Sequence, residues 1–274
     1  MLFASPVKKE IPQGNFYQDR GRQFYLSSGK LDSDHADVRF ERELRLLRQF
    51  CPGGAVLDVG CSTGGFLNQL RQRFPGDYQV RGAEICQPAA GYARGTGIDV
   101  STESVLQTDF GGRRFQAVTF WAVMEHLMAP EAYLTRAVEL LSAGGHVFIL
   151  VPNLGSLAVR ILGRRYRYLL PEHLNYFTRC TLDHLARKSP SLHPVASGSL
   201  HFNPIVILQD LFRRTDYVSD ADRSALLSRT TRYKRSRWLL PVRLAYRTIE
   251  RCLGELGLAD NLYLVCCKGE VAPG

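Results

Sequence analysis

Residues 55–74 read AVLDVGCSTGGFLNQLRQRF, and this stretch decides the fold. AVLDVG (55–60) is a short apolar run closed by glycine, after which Phe66, Leu67, Leu70 and Phe74 return with helical period. A strand, a glycine-rich turn and a helix therefore follow one another. Gly60 permits the turn out of the strand, Gly64 and Gly65 allow close backbone approach, and the helix offers free N–H groups at its amino end. Asp58 stands just before the turn.

The same alternation continues outward. ADVRFERELRLLRQF (36–50) places Val38, Leu44, Leu47 and Phe50 at helical spacing and predicts a leading helix. Downstream, strands are predicted at 78–84, 97–100, 115–121 and 146–152, with helices at QPAAGYARG and 131–141 between them. A helix at 181–188, a strand near 193–202 and a compact apolar strand in 258–269 complete the pattern. Strands alternating with helices imply βαβ units, hence an α/β doubly wound, mostly parallel sheet covered on both faces. The domain reading is an N-terminal helical cap (1–50), a Rossmann-like core (51–204 with 259–270) and a basic helical insertion (205–258).

Composition bounds the rest. Apolar content of 45% and charged content of 22% are those of a globular chain. Seven cysteines contain no CxxC pair, and Cys266 and Cys267 are adjacent, so free thiols in a reducing, cytoplasmic setting are expected. The amino terminus shows no apolar run of signal-peptide length, and no stretch reaches the ~20 apolar residues of a membrane span. The net charge of +9 is uneven, because residues 205–251 hold eleven Lys and Arg against five Asp and Glu.

A parallel α/β sheet binds its ligand beyond the carboxyl ends of its strands, which directs attention to the loops after the first, second and fourth of them. Glu84 closes the second strand, 24 residues beyond Gly60, where a carboxylate can accept hydrogen bonds from both hydroxyls of a ribose. With WAVMEHLMAP (121–130), SAGGHVFILVPN (142–153) and LLPEHLNYFTRCTLDHL (169–185), these residues resemble the class I S-adenosylmethionine-dependent methyltransferases over roughly 55–188. The likeness is sharpest to a bacterial group acting on small molecules, sugars and lipid precursors. It implies a seven-stranded sheet with an antiparallel last strand, S-adenosyl-L-methionine as cofactor, and Asp58, Gly60, Cys61, Gly64, Glu84, Ile85 and Trp121 as binding residues. Ser62 departs from the commoner GxGxG form, a small-residue variant. For adenine, spacing favours Thr102 and Glu103, whereas Thr108-Asp109-Phe110 also matches the family motif through Asp109.

A sulfonium methyl is already activated, so the protein has chiefly to align an acceptor lone pair and, for a hydroxyl, remove its proton. His126 and His173 lie on loops at the right end of the sheet and are the two candidate bases. Glu125-His126 resembles part of a metal-binding cluster of ubiquinone-pathway O-methyltransferases, but Ala122 stands where that cluster has another glutamate, and no metal is expected. Without an Asn-Pro-Pro-Tyr sequence after the fourth strand, nucleic-acid bases are disfavoured and O-methylation of a small acceptor is favoured. Arg160, Arg164, Arg165 and Arg167 suit an anionic acceptor or a solvated face. The amphipathic, arginine-rich 235–258 is either a lid or a peripheral contact with anionic membrane.

Rival classes fit less well. The glycines at 60, 64 and 65 do not form the GxGxxG of a nicotinamide dehydrogenase. An RNA or protein methyltransferase draws on the basic run RTTRYKRSRW (229–238), and a non-catalytic cofactor-binding protein on the rule that fold does not entail activity. Oligomeric state leaves no trace in the sequence.

Overall fold

Val56 and Leu57 are neighbours on one strand, point to opposite faces, and are both fully buried. Only a strand covered on both sides meets that condition. The computed structural model describes residues 2–3, 17–18, 21–170, 172–212, 224–228, 231 and 240–269. Its elements in chain order are β1 (Leu2–Phe3), α1 (Ser28–Asp34), α2 (Glu41–Phe50), β2 (Gly54–Val59), α3 (Gly65–Arg73), β3 (Tyr78–Ala83), α4 (Gln87–Gly95), β4 (Asp99–Ser101) and β5 (Phe115–Trp121). There follow α5 (Pro130–Leu140), β6 (Leu141–Pro152), α6 (Leu157–Leu162), β7 (Asn175–Tyr176), α7 (Arg179–Arg187), β8 (Leu192–Leu200), α8 (Pro204–Phe212), α9 (Leu240–Glu255) and β9 (Asn261–Lys268).

Seven strands form one sheet in the order β4-β3-β2-β5-β6-β9-β8, and β1 pairs with β7 in a separate two-stranded ribbon. β4 through β6 run parallel, while β9 is antiparallel to both of its neighbours, β6 and β8. The Rossmann-like sheet with a reversed last strand is thus present. Leu57, Val118, Phe120 and Ile149 face α5 and α7 on one side; Val56, Ala117 and Phe148 face α2, α3 and α4 on the other. Strand order reverses between β2 and β5, so the crevice for a ligand opens at their carboxyl ends.

Two boundaries differ from the periodicity. The leading helix starts at Glu41, and Ser28–Asp34 forms its own helix, whose sequence SGKLDSD has no apolar period to announce it. β6 begins at Leu141, upstream of the Gly144-Gly145 turn expected to introduce it, because Leu141 pairs with Phe115 across a bulge. Among the described residues no helix is long and apolar enough to cross a membrane.

The stretch 205–258 contributes α8 and α9, while RTTRYKRSRW and Trp238 lie outside the described residues except for Thr231. α9, with Pro241 in its first turn, packs along β8. Arg42 of α2 pairs with Glu250 of α9, and Glu43 accepts from His201 Nε2 at 2.9 Å. Burial alone would push the Glu43 carboxyl up; the adjacent His201, with Arg39, outweighs it and brings it down to about 2. α8 packs against α6 through Val206 and Ile207 on Ala158 and Leu162.

The firmest tie is buried. Arg167 donates through its backbone N–H to Asp210 Oδ2 (3.0 Å) and through Nε (2.9 Å) and a terminal nitrogen (2.6 Å) to Oδ1. This arginine is engaged inside the protein, unlike the exposed Arg160, Arg164 and Arg165. Arg167→Ala leaves a carboxylate buried without its cation and is expected to cost ~3–5 kcal/mol in urea unfolding. The apolar double variant Arg167→Met/Asp210→Leu should lose less than that single change. An Arg167→Ala midpoint equal to the wild type would show the pair to be idle.

Candidate active site

The turn after β2 is shaped by backbone conformation. Gly60 adopts φ +71°, and a Cβ there would stand 2.6 Å from Val123 Cγ2; Gly64 adopts φ +77°, and its Cβ would stand 2.7 Å from Ile98 Cδ1. Between them Ser62 is held at φ +51°, a conformation that L residues adopt at a cost. α3 starts from Gly64 without a side-chain cap, so its first N–H groups remain for a ligand.

Glu84 joins this turn to the loop after β3. One carboxylate oxygen accepts from Ser62 N–H at 2.9 Å and the other from Cys86 N–H at 2.8 Å, leaving each oxygen a second lone pair. Asp58 is 3% exposed and accepts from Thr119 Oγ1 at 2.6 Å, across the β2–β5 junction. Burial pushes the Asp58 carboxyl up to about 7, the Thr119 bond opposing it and Glu84 adding to it. Burial likewise raises Glu84 and the Cys61 thiol. A positive charge placed beside these carboxyls would favour their ionised form and offset the cost of burying them.

Asp58, Gly60, Cys61 and Gly64 lie on β2 and the turn after it, and Glu84 and the exposed Ile85 lie on the loop after β3 that Glu84 ties to that turn. Thr102 follows β4 half-buried, and Glu103 and Asp109 are exposed. Ser101 Oγ and Thr108 Oγ1 share a hydrogen bond at 2.9 Å, which brings both candidate adenine segments to the same edge. Asp109 accepts from Gly111 N–H and Phe110 is buried against Phe115. Trp121 ends β5 and packs its ring on Phe66 (5.3 Å) and Phe148 (6.2 Å). Ser62 Oγ, Thr63 Oγ1 and Trp121 Nε1 are buried with no hydrogen-bond partner among the described residues. Such atoms are costly unless something supplies a partner, and they fit a polar cofactor beside the turn.

On the acceptor side the backbone stitches two loops together. Leu174 N–H donates to Glu125 O (2.7 Å), and Asn175 Nδ2 donates to Met124 O (3.2 Å) and Leu127 O (2.6 Å). His126 and His173 consequently meet edge to face, ring centroids 4.7 Å apart. Because Glu172 O can only accept, the 3.0 Å contact from His126 Nδ1 fixes the proton on Nδ1 and leaves Nε2 basic in the neutral ring. The sequence places Glu125 beside His126 in a resemblance to a metal-binding cluster but gives it no role of its own. Its carboxyl is 1% exposed and pushed up to about 8 by burial, and its donor atom lies within 4.8 Å of those of His126 and His173. The three can share a proton or hold one divalent cation.

The sequence model of a methyltransferase domain matches residues 35–189. A ubiquinone biosynthesis O-methyltransferase of Cereibacter sphaeroides (strain ATCC 17025 / ATH 2.4.3) is 32% identical over 181 residues, 61% of this chain and 71% of that protein. The fold matches a SAM dependent methyltransferase from Archaeoglobus fulgidus with a TM-score of 0.56 at 16% identity, covering 92% of this chain and 99% of that one. It also matches an N-methyltransferase from Bradyrhizobium japonicum WM9 in complex with S-adenosyl-L-homocysteine (TM-score 0.55, 13% identity, 93% and 99% covered). With the crevice where the strand order reverses and the family match spanning it, the chain belongs to the methyltransferase-domain family as a class I S-adenosylmethionine-dependent enzyme.

Proposed function

We propose that this methyltransferase acts on a hydroxyl oxygen of a small, amphiphilic acceptor, with His126 as the group that takes up the hydroxyl proton. The observation that carries this reading is the tautomer of His126, set by Glu172 O, which makes Nε2 the accepting nitrogen of the neutral ring. His126 is half-buried and reachable, whereas His173 is 4% exposed and stands behind it as a support for the ring. The resemblance to proteins named for O-methylation in ubiquinone biosynthesis supports an oxygen acceptor.

For the cofactor, Glu84 holds the ribose, the Ser62–Gly65 turn and Asp58 hold the methionine portion, and Thr102, Glu103 or Asp109 border the adenine. Bound S-adenosylmethionine supplies an electrophilic methyl on a positively charged sulfur. The chain's own residues do the rest. They orient the acceptor, shield the crevice, and move one proton to His126.

Three measurements test this. The folded-state carboxyl of Asp58 lies near 7, above its ordinary range, so below that pH the group is protonated and offers no charge to the cationic ligand. Affinity for S-adenosylmethionine by calorimetry is expected to rise by up to about tenfold from pH 6 to pH 8, with proton release. Asp58→Asn should flatten that profile and, by removing a buried charge that costs stability as pH rises, raise the Tm at pH 8. A pH-independent wild-type affinity would remove Asp58 from the binding site.

His126→Ala should lower kcat by about 10²-fold or more with cofactor affinity retained, and His173→Ala should fall less. The clustered donor atoms of Glu125, His126 and His173 favour a metal as the alternative reading. Insensitivity to chelators is the expected result; loss of activity on chelation, restored by a divalent ion, would replace the base with a metal.

The acceptor's amphiphilic character is supported by α8. Ile205, Leu208 and Phe212 fall on one helix face and are exposed, Phe212 at 83%, beside the exposed Ile161, Arg164 and Arg165 of α6 and the turn after it. Apolar and cationic groups outward on adjoining elements fit an anionic membrane surface. Anionic vesicles should retain the protein at low salt, and Leu208→Ser/Phe212→Ser should release it. No retention of the wild type at low salt would end the membrane reading.

A further inference from the structure

A segment with no part in the chemistry above crosses the mouth of the cofactor crevice. Gln18 donates from Nε2 to Ile85 O at 2.7 Å and accepts from Gln87 N–H through Oε1 at 3.0 Å. Glu84 holds the same loop from the inside through Cys86 N–H. The residues that follow β3 are therefore fixed from two sides, by one carboxylate and one carboxamide. One residue before Gln18, the ring of Tyr17 meets His126 edge-on, centroids 6.2 Å apart.

The path continues over the crevice. The π-helical turn Gly21–Tyr25 packs against α4, and His35, at the end of α1, stacks with Tyr92 at 5.4 Å. A Cβ on Gly65 would stand 2.5 Å from Asp34 O, so the end of α1 lies directly on the glycine-rich turn. On the outer side, Ser224 Oγ is 3.0 Å from Ser27 Oγ, and Thr231 Oγ1 donates to Ser33 Oγ at 3.2 Å. One strap touches the acceptor histidine, the ribose loop and the turn, and residues of the basic insertion brace it from outside.

We infer that Gln18 is a positioning residue for the cofactor: by capping the Ile85–Gln87 loop it holds the strap of Tyr17, Gln18 and residues 21–35 closed over the ribose end of the crevice. The inference rests on the reading of Glu84 as the ribose-binding residue. Both Gln18 bonds are solvent-exposed, where water competes for the same groups, so they add little to the stability of the fold. With a ligand beneath the strap they govern how readily the loop opens. Gln18 thus acts on the residence of the ligand.

The test measures S-adenosylhomocysteine binding by calorimetry and its release by stopped flow for the full-length chain, with Tm recorded without ligand. Gln18→Ala is expected to weaken binding about tenfold, mainly through faster release, with the unliganded Tm unchanged. Gln18→Glu keeps the acceptor for Gln87 N–H but sets a carboxylate against Ile85 O, and should weaken binding at least as much. Glu84→Ala is the reference. If Glu84→Ala weakens binding while both Gln18 variants bind and release as the wild type does, the strap inference alone is overturned. If Glu84→Ala also binds as the wild type does, the ribose assignment fails and takes the inference with it. An affinity loss in Gln18→Ala that comes with an equal fall of unliganded Tm marks a merely structural role and overturns it as well.

Discussion

Glu84 ties the glycine-rich turn to the loop after β3, one carboxylate oxygen on Ser62 N–H and the other on Cys86 N–H. Neither backbone group has a strand or helix partner at that point, so the carboxylate defines how far apart the two loops stand. The left-handed Ser62 is tolerable because its N–H is aimed at this acceptor. Everything that borders the crevice is set relative to this bridge: Asp58 beneath it, Ile85 at its rim, and α3 beyond it. A neutral side chain of the same length would keep the packing but weaken two charge-assisted bonds at once.

The electrical character of the site runs against that of the whole chain. A protein of net charge +9 places Asp58, Glu84 and Glu125 at the carboxyl ends of its central strands, and burial raises all three carboxyls. Holding unneutralised acids in a covered crevice costs stability, and a cationic ligand relieves that cost when it binds. The basic surplus lies elsewhere, including the exposed Arg164 and Arg165.

The core was legible because its information is local. Gly60, Glu84 and the alternating apolar runs sit at spacings that one strand–turn–helix unit dictates, and β2 and β5 fall within a residue of where the apolar pattern puts them. The meeting of His126 with His173 was hidden, because it depends on Leu174 and Asn175 bonding to the 124–127 turn, and no period joins positions that far apart. Arg167 shows the same limit. Grouped with its neighbours it reads as a surface cation, yet its partner Asp210 lies 43 residues away on a helix that appears in the sequence only as an apolar run. Glu125, read in the sequence only beside His126, gains its further significance from burial and from its closeness to His173. Tyr17 and Gln18 carry no motif; contacts with His126 and with the backbone of Ile85 and Gln87 give them their place.

The position of β9 has a consequence for how the molecule is made. Among the described residues it is the last strand, yet it lies between β6 and β8 and bonds to both along nearly its full length. On the ribosome, β6 and β8 emerge well before the strand that joins them, so each waits with an open edge and an apolar face that other chains can capture. A truncation just before Asn261 would leave both of those edges unpaired.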